Sequence, residues 1–85
     1  MAKYNILIKP SAAKALKRIP QKYIQKIVQK IQSLADNPRP SGCEKLTNQE
    51  KYRVRQGRCR IIYMIEDDPL IVTVVKIGRR RNVYN

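Results

Sequence analysis

Apolar and basic residues alternate along the stretch from Lys51 to Tyr63, which reads KYRVRQGRCRIIY. An apolar side chain at every second position is typical of a β-strand with one buried face. Gln56-Gly57 interrupts this alternation near the middle of the stretch. We therefore predict a β-hairpin that turns at Gln56 and Gly57, although Gln-Gly is a weaker turn sequence than Asn-Gly and a bulge would change the pairing.

Residues that lie directly opposite each other on paired strands share a face of the sheet. A two-residue turn at Gln56-Gly57 would place Arg55 opposite Arg58 and Arg53 opposite Arg60. These arginines would then crowd one face, and the other face would carry Tyr52, Val54, Cys59 and Ile61. Opposed like charges destabilise a hairpin by about 0.2–1 kcal/mol per pair, so we expect such a cluster to meet a polyanion.

The rest of the chain shows two more strand patterns and two helical patterns. A first strand is predicted over residues 4–9, and a short helix over residues 11–19 begins with a serine that can cap it. Pro20 suits the first turn of a longer helix, whose apolar stripe is Ile24, Ile27, Val28, Ile31, Leu34 and Ala35. After a turn at residues 66–69, residues 70–77 are apolar on both faces, as in an inner strand.

The order of these elements, β-α-α-β-β-β, predicts the fold class. We expect an α+β domain in which a largely antiparallel four-stranded sheet carries a helical hairpin on one face. Eighty-five residues allow one small domain, so residues 1–85 are assigned to a single unit.

Charge points to an acidic partner. The chain has 19 basic and 6 acidic residues, no histidine and a formal net charge of +13. Such a balance is typical of a protein that binds nucleic acid or is masked by an acidic protein. Seven of the nine arginines lie at or after residue 53, whereas eight of the ten lysines lie before residue 46. Because arginine contacts phosphate bidentately, we place the site in the second half.

The helix lysines have a simpler interpretation as solvated surface charge; they are Lys14, Lys17, Lys22, Lys26 and Lys30. We expect Lys14 and Lys26 to lie on helix faces away from the hairpin. Cys43 and Cys59 lack the spacing of a metal site and are expected to be free thiols in a reducing cytosol. No signal-peptide core or membrane-length apolar run is present, which indicates a cytoplasmic protein without a membrane partner.

Several familiar catalytic sites are excluded by composition. Without histidine there is no Ser-His or Cys-His pair, and the glycines at 42, 57 and 78 form no phosphate-binding loop. Glu66-Asp67-Asp68 beside Pro69 is typical of a solvated turn, so we expect neither a metal nor a cofactor.

Arginine, lysine and tyrosine suffice for one reaction on RNA. Attack of a 2′-hydroxyl on the adjacent phosphate needs a base and positive charge for the phosphorane oxygens. Nearby guanidinium groups favour the phenolate of a tyrosine, and Tyr84 follows three arginines in the tail. Tyr84 is therefore a candidate base, with packing on the sheet edge as the equally weighted alternative.

The stretch YRVRQGRCRIIYMIEDD, followed by an apolar strand and VVKIGRRRNVY, resembles the RelE/ParE superfamily of bacterial toxins. In that family, strands of the type YRVRxGxYRIIYxI precede a KIGHRRDVY-like tail, and the likeness covers essentially the whole chain. The resemblance implies a ribosome-dependent endoribonuclease that cleaves messenger RNA in the decoding site. It also implies a cognate antitoxin that holds the toxin inactive, and leaves open whether their complex binds promoter DNA.

The resemblance also implies a set of catalytic residues, namely Arg53, Arg55, Arg60, Arg80 and Tyr84. Arg53 and Arg55 replace a lysine pair, and because guanidinium keeps its proton near neutral pH, these two would act electrostatically. Further RNA contacts are expected from Lys51, Arg58, Arg79 and Arg81. Ribosomal RNA would share these contacts with the message.

Two features of the tail depart from the family pattern. Arg79 stands where histidine is frequent, and Asn82 stands where an acidic residue is frequent. The alternative branch of the superfamily is ParE-like and poisons DNA gyrase by binding, without RNA cleavage. Its members generally lack the full catalytic set, so the filled positions favour the ribonuclease.

Changing Tyr84 to Phe separates the two interpretations of this tyrosine. The change removes one hydroxyl and no positive charge, so ribosome binding should persist while single-turnover cleavage falls by about 10²–10⁴. Cleavage of ribosome-bound message by the Tyr84→Phe variant, measured at saturating ribosome, provides the comparison. Cleavage at the parental rate would make Tyr84 a packing residue and move the base to Lys51, Tyr52, Tyr63 or the ribosome.

Overall fold

The computed structural model describes residues 3–46 and 50–79, with the backbone alone for Arg79. The elements in chain order are β1 (Asn5–Ile8), α1 (Pro10–Lys17), α2 (Gln21–Ser33), β2 (Glu44–Lys45), β3 (Lys51–Gln56), β4 (Cys59–Asp67) and β5 (Leu70–Arg79). Within the described ranges, no helix is long and apolar enough to cross a bilayer.

The strands form one sheet in the order β1-β5-β4-β3-β2. All neighbouring pairs are antiparallel except β1 and β5, which run parallel. The predicted α+β class is therefore confirmed, but the strand number was wrong, because the described residues form a sheet of five strands rather than four. The additional strand, β2, has only two residues, and both are polar, so no apolar alternation announces it.

A proline lies at the start of each of the two helices, α1 and α2. Pro10 occupies the first turn of α1, one residue earlier than predicted, and Pro20 is the N-terminal cap of α2. Ser11 does not cap α1, since the cap position belongs to Lys9. The Ser11 hydroxyl instead donates to the carbonyl oxygen of Val75 at 3.5 Å, linking α1 to the sheet.

The hydrophobic core lies between the two helices and one face of the sheet, here called the covered face. Its buried members in the helical layer are Ala12, Ile19, Ile27, Ile31 and Leu34. Those from the sheet are Val54, Cys59, Ile61, Tyr63, Val72, Val74 and Ile77. As predicted, the α2 stripe packs against the sheet, and β5 is an inner strand between β1 and β4.

The hairpin of β3 and β4 turns one residue later than predicted. Gln56 pairs with Cys59, so Gly57 and Arg58 are the turn, and Arg55 lies opposite Arg60. The proposed pairs of Arg55 with Arg58 and of Arg53 with Arg60 were therefore wrong. Gly57 has a φ of 60°. The first central residue of a type I′ or II′ hairpin turn requires a positive φ, and Gly57 occupies that position. The prediction had placed Gly57 at the second central position.

In the observed register the apolar residues lie on the predicted face, but the set of basic residues on the opposite face differs from the prediction. Tyr52 pairs with Tyr63 and Val54 with Ile61, so these residues share the covered face. The opposite face, here called the open face, carries Arg53, Arg55, Arg60, Ile62 and Met64 from the hairpin. Arg58 lies in the exposed turn instead of on this face.

Gly57 and Gly78 provide a matched test of the turn. A Cβ at either position meets no atom within 4 Å, but only Gly57 has a positive φ. Gly57→Ala should therefore lower the free energy of unfolding by about 1–2 kcal/mol, because a Cβ disfavours the left-handed conformation. Urea unfolding of both variants measures this, with Gly78→Ala as the control. Equal effects at the two positions would contradict the assigned turn.

Candidate nucleic-acid interface

The positive charge of the hairpin is collected on the open face of the sheet. Arg53 and Arg55 project there from β3 and Arg60 from β4; we call these three the arginine face. Arg55 is exposed, whereas Arg53 and Arg60 are half-buried. Neither of the two described helices covers them, because α1 and α2 pack on the opposite side with the core. A polyanion can therefore approach the guanidinium groups directly.

Arg55 and Arg60 face each other across the strands. Among the residues that the structure describes, neither has a carboxylate within ion-pair distance. Two opposed, uncompensated guanidinium groups repel each other, and that repulsion is relieved when a phosphate lies between them. This pair is the part of the arginine face most open to an anionic ligand.

Arg53 has a partner that the sequence did not reveal. Its guanidinium donates to Glu44 Oε1 at 2.6 Å, across the pairing of β3 with β2. This bond and the charges of Arg53 and Arg55 hold the pKa of Glu44 below its ordinary value, so the carboxylate is ionised at neutral pH. The sequence alone could not predict that Glu44 contacts Arg53. Glu44 reaches the open face only because β2 pairs with β3 at the sheet edge.

Two lysines extend the basic surface. Lys51, a predicted RNA contact, is half-buried on the open face opposite Met64. Lys76 was not predicted to belong to the site, yet it lies exposed on the same face opposite Ile62. A β-bulge between the pairs Ile62–Lys76 and Tyr63–Val74 shifts the alternation of β5, and strict alternation with Val74 would have placed Lys76 on the covered face.

The hairpin tyrosines do not face the arginines. Tyr63 is fully buried on the covered face, and its hydroxyl donates to the carbonyl oxygen of Pro38 at 2.7 Å. Burial raises the pKa of Tyr63, so its hydroxyl stays protonated. Tyr52 stacks on Tyr63 with ring centroids 6.0 Å apart. Neither residue is therefore placed to accept a proton on the open face.

Four predicted site residues belong to the tail. Arg80, Arg81 and Tyr84 lie outside the described residues, and the side chain of Arg79 does too. The backbone of β5 ends at Arg79, opposite Cys59, and thus continues two residues beyond Ile77, where we expected the strand to end. The tail accordingly begins at the same end of the sheet as the Gly57 turn.

The segment that leads to β2 is tied to the far end of β4. Asp67 accepts a hydrogen bond from the Tyr4 hydroxyl at 2.6 Å and one from the Arg39 guanidinium at 3.2 Å. Arg39 also lies over the Tyr52 ring, 5.5 Å from its centroid. The bonds from Tyr4 and Arg39 lower the pKa of Asp67. Asp67 is thus the last residue of β4 and not, as we had predicted, part of the turn, and its exposed carboxylate binds two side chains.

One helix lysine lies near the hairpin, contrary to expectation. A cavity of about 360 Å³ is lined by Tyr23, Lys26, Ile27, Gln56, Gly57, Arg58 and Cys59. Lys26 therefore lies beside the hairpin turn and does not face away from it. Lys14, on α1, is exposed. The amphipathic pattern alone could not distinguish these two positions around their helices.

Comparison with known proteins gives the family. Residues 6–84 match the family model described as the ParE toxin of the type II toxin–antitoxin system parDE. A Methanocaldococcus jannaschii protein named as the toxin RelE1 is 34% identical over 88 residues, which span 96% of both chains. The chain belongs to the RelE/ParE superfamily of type II toxin–antitoxin toxins. The resemblance expected from the hairpin and tail is confirmed.

Solved structures of RelE proteins share the fold of this toxin. A chain of the archaeal RelE–RelB complex from Pyrococcus horikoshii superposes with a TM-score of 0.83 at 23% identity, covering 95% of this chain and 99% of that one. A chain of the RelBE2 toxin–antitoxin complex from Mycobacterium tuberculosis gives 0.85 at 20% identity, with 94% of each chain covered. At these identities the likeness establishes the fold of the toxin alone.

Protonation of Asp67 should lower the folding stability of the toxin at acidic pH. Because its folded pKa is lowered, the bonded carboxylate stabilises the fold above the ordinary pKa of 3.8, and this stabilisation is lost as pH falls below that value. We expect Asp67→Asn to lower the urea midpoint at pH 7 and to reduce its further decline below pH 4. Urea titrations across pH measure both effects.

Glu66→Gln is the matched control for Asp67→Asn. Glu66 neighbours Asp67 on β4 and is exposed, and within the described part of the chain it has no ion pair. Its loss removes the same charge without the bonds from Tyr4 and Arg39. If the two variants had the same acid profile, net charge rather than the Asp67 bonds would explain the effect.

Proposed function

We propose that this toxin is a ribosome-dependent endoribonuclease, an mRNA interferase that cleaves messenger RNA in the ribosomal A site. The observation that supports this proposal most directly is the uncovered arginine face, in which Arg55 and Arg60 are directly opposed without a carboxylate partner in the described structure. RNA supplies the phosphates that such a surface requires. The RelE names of related proteins support the same branch of the superfamily.

The proposed reaction is attack of a 2′-oxygen on its neighbouring phosphorus, with departure of the 5′-oxygen of the next nucleotide. The products are a 2′,3′-cyclic phosphate and a free 5′-hydroxyl. Guanidinium groups keep their protons, so Arg53, Arg55 and Arg60 stabilise the charge that builds on the phosphorane oxygens. Arg80 is proposed to join them from the tail.

Proton transfer in this scheme is assigned to Tyr84. Tyr52 and Tyr63 pack on the covered face, which leaves Lys51 as the alternative on the open face among those considered from the sequence. The chain offers few contacts to hold flexible RNA, so the ribosome supplies orientation, and free RNA is a poor substrate. Arg58, Arg79 and Arg81 are proposed to bind ribosomal RNA and the message.

The second candidate is a ParE-like poison of DNA gyrase. The match of residues 6–84 to the ParE toxin family favours it. A gyrase poison would act by binding and would not need charge stabilisation at a phosphorane. The concentration of guanidinium groups on one open surface is better explained by phosphoryl chemistry, and we therefore rank this candidate second.

A cognate antitoxin is proposed as the protein partner. The M. tuberculosis structure is a toxin–antitoxin complex, and the P. horikoshii structure is a complex of RelE with RelB. Because the toxin has a net charge of +13, we expect the antitoxin to bind it through an acidic or amphipathic segment that gains order on binding. Such a segment would lower the charge repulsion of the free toxin and occlude its basic surface. We leave binding of the complex to promoter DNA as a separate proposal.

Programmed ribosomes distinguish the two candidates. Purified toxin is incubated with ribosomes that carry a defined message, and new 5′ ends are mapped. We expect cleavage in the A-site codon and 5′-hydroxyl termini. Parallel reactions with gyrase and supercoiled DNA test the alternative. An intact message together with gyrase-linked DNA breaks would replace the proposed function with the ParE-like one.

Arg60 and Arg18 provide a matched pair for the chemical role of the arginine face. Arg60 lies on the open face, whereas Arg18 is exposed at the end of α1. Arg60→Ala should lower single-turnover cleavage by about 10²–10³, comparable to the loss of one preorganised donor to a transition-state oxyanion. Arg18→Ala removes the same charge and should leave this rate within about twofold at saturating ribosome, since it lies outside the proposed phosphate site.

A further inference from the structure

Glu44 and Arg53 form an ion pair within the arginine face. It is a cross-strand pair, since Glu44 lies directly opposite Arg53, and its 2.6 Å distance compares with 3.2–3.8 Å for the other ion pairs in the described chain. The Arg53 side chain is 25% exposed and that of Glu44 is 59% exposed. A ligand can therefore reach the carboxylate and the guanidinium from solvent.

This contact leaves Arg53 incompletely bonded. Its Nε–H is buried and has no hydrogen-bond partner among the described residues, although a terminal nitrogen binds Glu44. A buried donor without an acceptor is unfavourable, so the observed arrangement does not give Arg53 its full set of bonds. A guanidinium that turns toward solvent can offer Nε and a terminal nitrogen together to a tetrahedral anion.

We propose that Glu44 occupies, in the free toxin, the place on Arg53 that a phosphodiester of RNA takes in the complex. Binding RNA then requires one internal ion pair to be exchanged for an external one. This inference rests on the proposed function, because it takes RNA as the ligand of the arginine face. Glu44 thereby lowers the affinity of the toxin for single phosphates and favours ligands that contact several cations at once.

The surroundings of Glu44 support exchange over permanent pairing. Arg55 lies on the same face of β3, two residues from Arg53, and also attracts the Glu44 carboxylate, so a phosphate in that place would be attracted by both arginines. The pKa of Glu44 is lowered, and the carboxylate therefore stays ionised and competes with phosphate throughout the physiological pH range. Ligand concentration, not pH, controls the exchange under these conditions.

Glu50 offers a matched control for Glu44. Its carboxylate lies 3.8 Å from the Lys45 ammonium, and its side chain is 85% exposed. Among the described residues, it forms no hydrogen bond or ion pair with Arg53. Glu50→Gln changes the net charge of the toxin by the same amount as Glu44→Gln. Glu44→Asp is a second test variant, because it keeps the charge while shortening the reach to Arg53 by one methylene.

The experiment measures binding of a fluorescent 2′-O-methyl oligoribonucleotide, which lacks the nucleophilic hydroxyl and cannot be cleaved. Glu44→Gln should bind about three- to fivefold more tightly than the parent, the effect of removing one partly exposed competing ion pair. Its slope of log affinity against log salt should stay close to that of the parent, because Arg53 contacts a phosphate in both complexes. Glu44→Asp should also bind more tightly, and Glu50→Gln should stay within about twofold.

Weaker binding by Glu44→Gln would overturn the proposal, since Glu44 would then hold Arg53 in its binding position. Equal gains for Glu44→Gln and Glu50→Gln would overturn it too, by attributing the effect to net charge. Titration with inorganic phosphate, followed by the NMR signal of Arg53 Nε–H, makes the test independent of RNA cleavage. The signal should shift at lower phosphate concentration in Glu44→Gln, and identical titrations would contradict the exchange whatever the ribosome assay shows.

Discussion

The register of the β3–β4 hairpin is the constraint on which the molecule depends. Val54 opposite Ile61 and Tyr52 opposite Tyr63 place the apolar side chains under the helices. Because strand side chains alternate, the same pairing forces Arg53, Arg55 and Arg60 to the uncovered face. If one strand slid by a single residue against the other, its arginines would turn to the covered face. The register that forms the core therefore also places the arginine face.

The apolar half of this arrangement could be predicted from the sequence, and the polar half only in part. Period-two alternation identified Tyr52, Val54, Cys59 and Ile61 as one face, and helical spacing identified the side of α2 that packs on it. Basic residues carry no comparable burial signal. The position of Gly57 within its turn therefore decided which arginines meet, and Gln-Gly is compatible with more than one turn position.

The remaining parts of the site depend on contacts between distant segments. Glu44 reaches Arg53 because a two-residue strand joins the sheet edge, and two polar residues give no periodic pattern. Lys76 reaches the open face because a bulge shifts β5, and an apolar run on both faces does not reveal such a shift. Sequence periodicity therefore predicts neither the pairing of a short polar strand nor the position of a bulge.

Charge connects this fold to its biology as a toxin. The covered face satisfies its side chains by packing, whereas the arginine face has little internal compensation beyond Glu44. A domain with a net charge of +13 that presents such a surface is expected to associate with polyanions and to be quenched by an acidic partner. The same surface thus serves as the proposed basis of both activity and inhibition.

RNA is proposed to bind the open face of the sheet. Two-dimensional NMR of the labelled toxin, titrated with a 2′-O-methyl oligoribonucleotide, tests it most directly. We expect the largest amide shifts at Arg53, Arg55, Arg60 and their neighbours in β3 and β4, while amides around Lys14 in α1 stay nearly unchanged. Shifts concentrated on the exposed surface of the two helices, with an unperturbed hairpin, would contradict it.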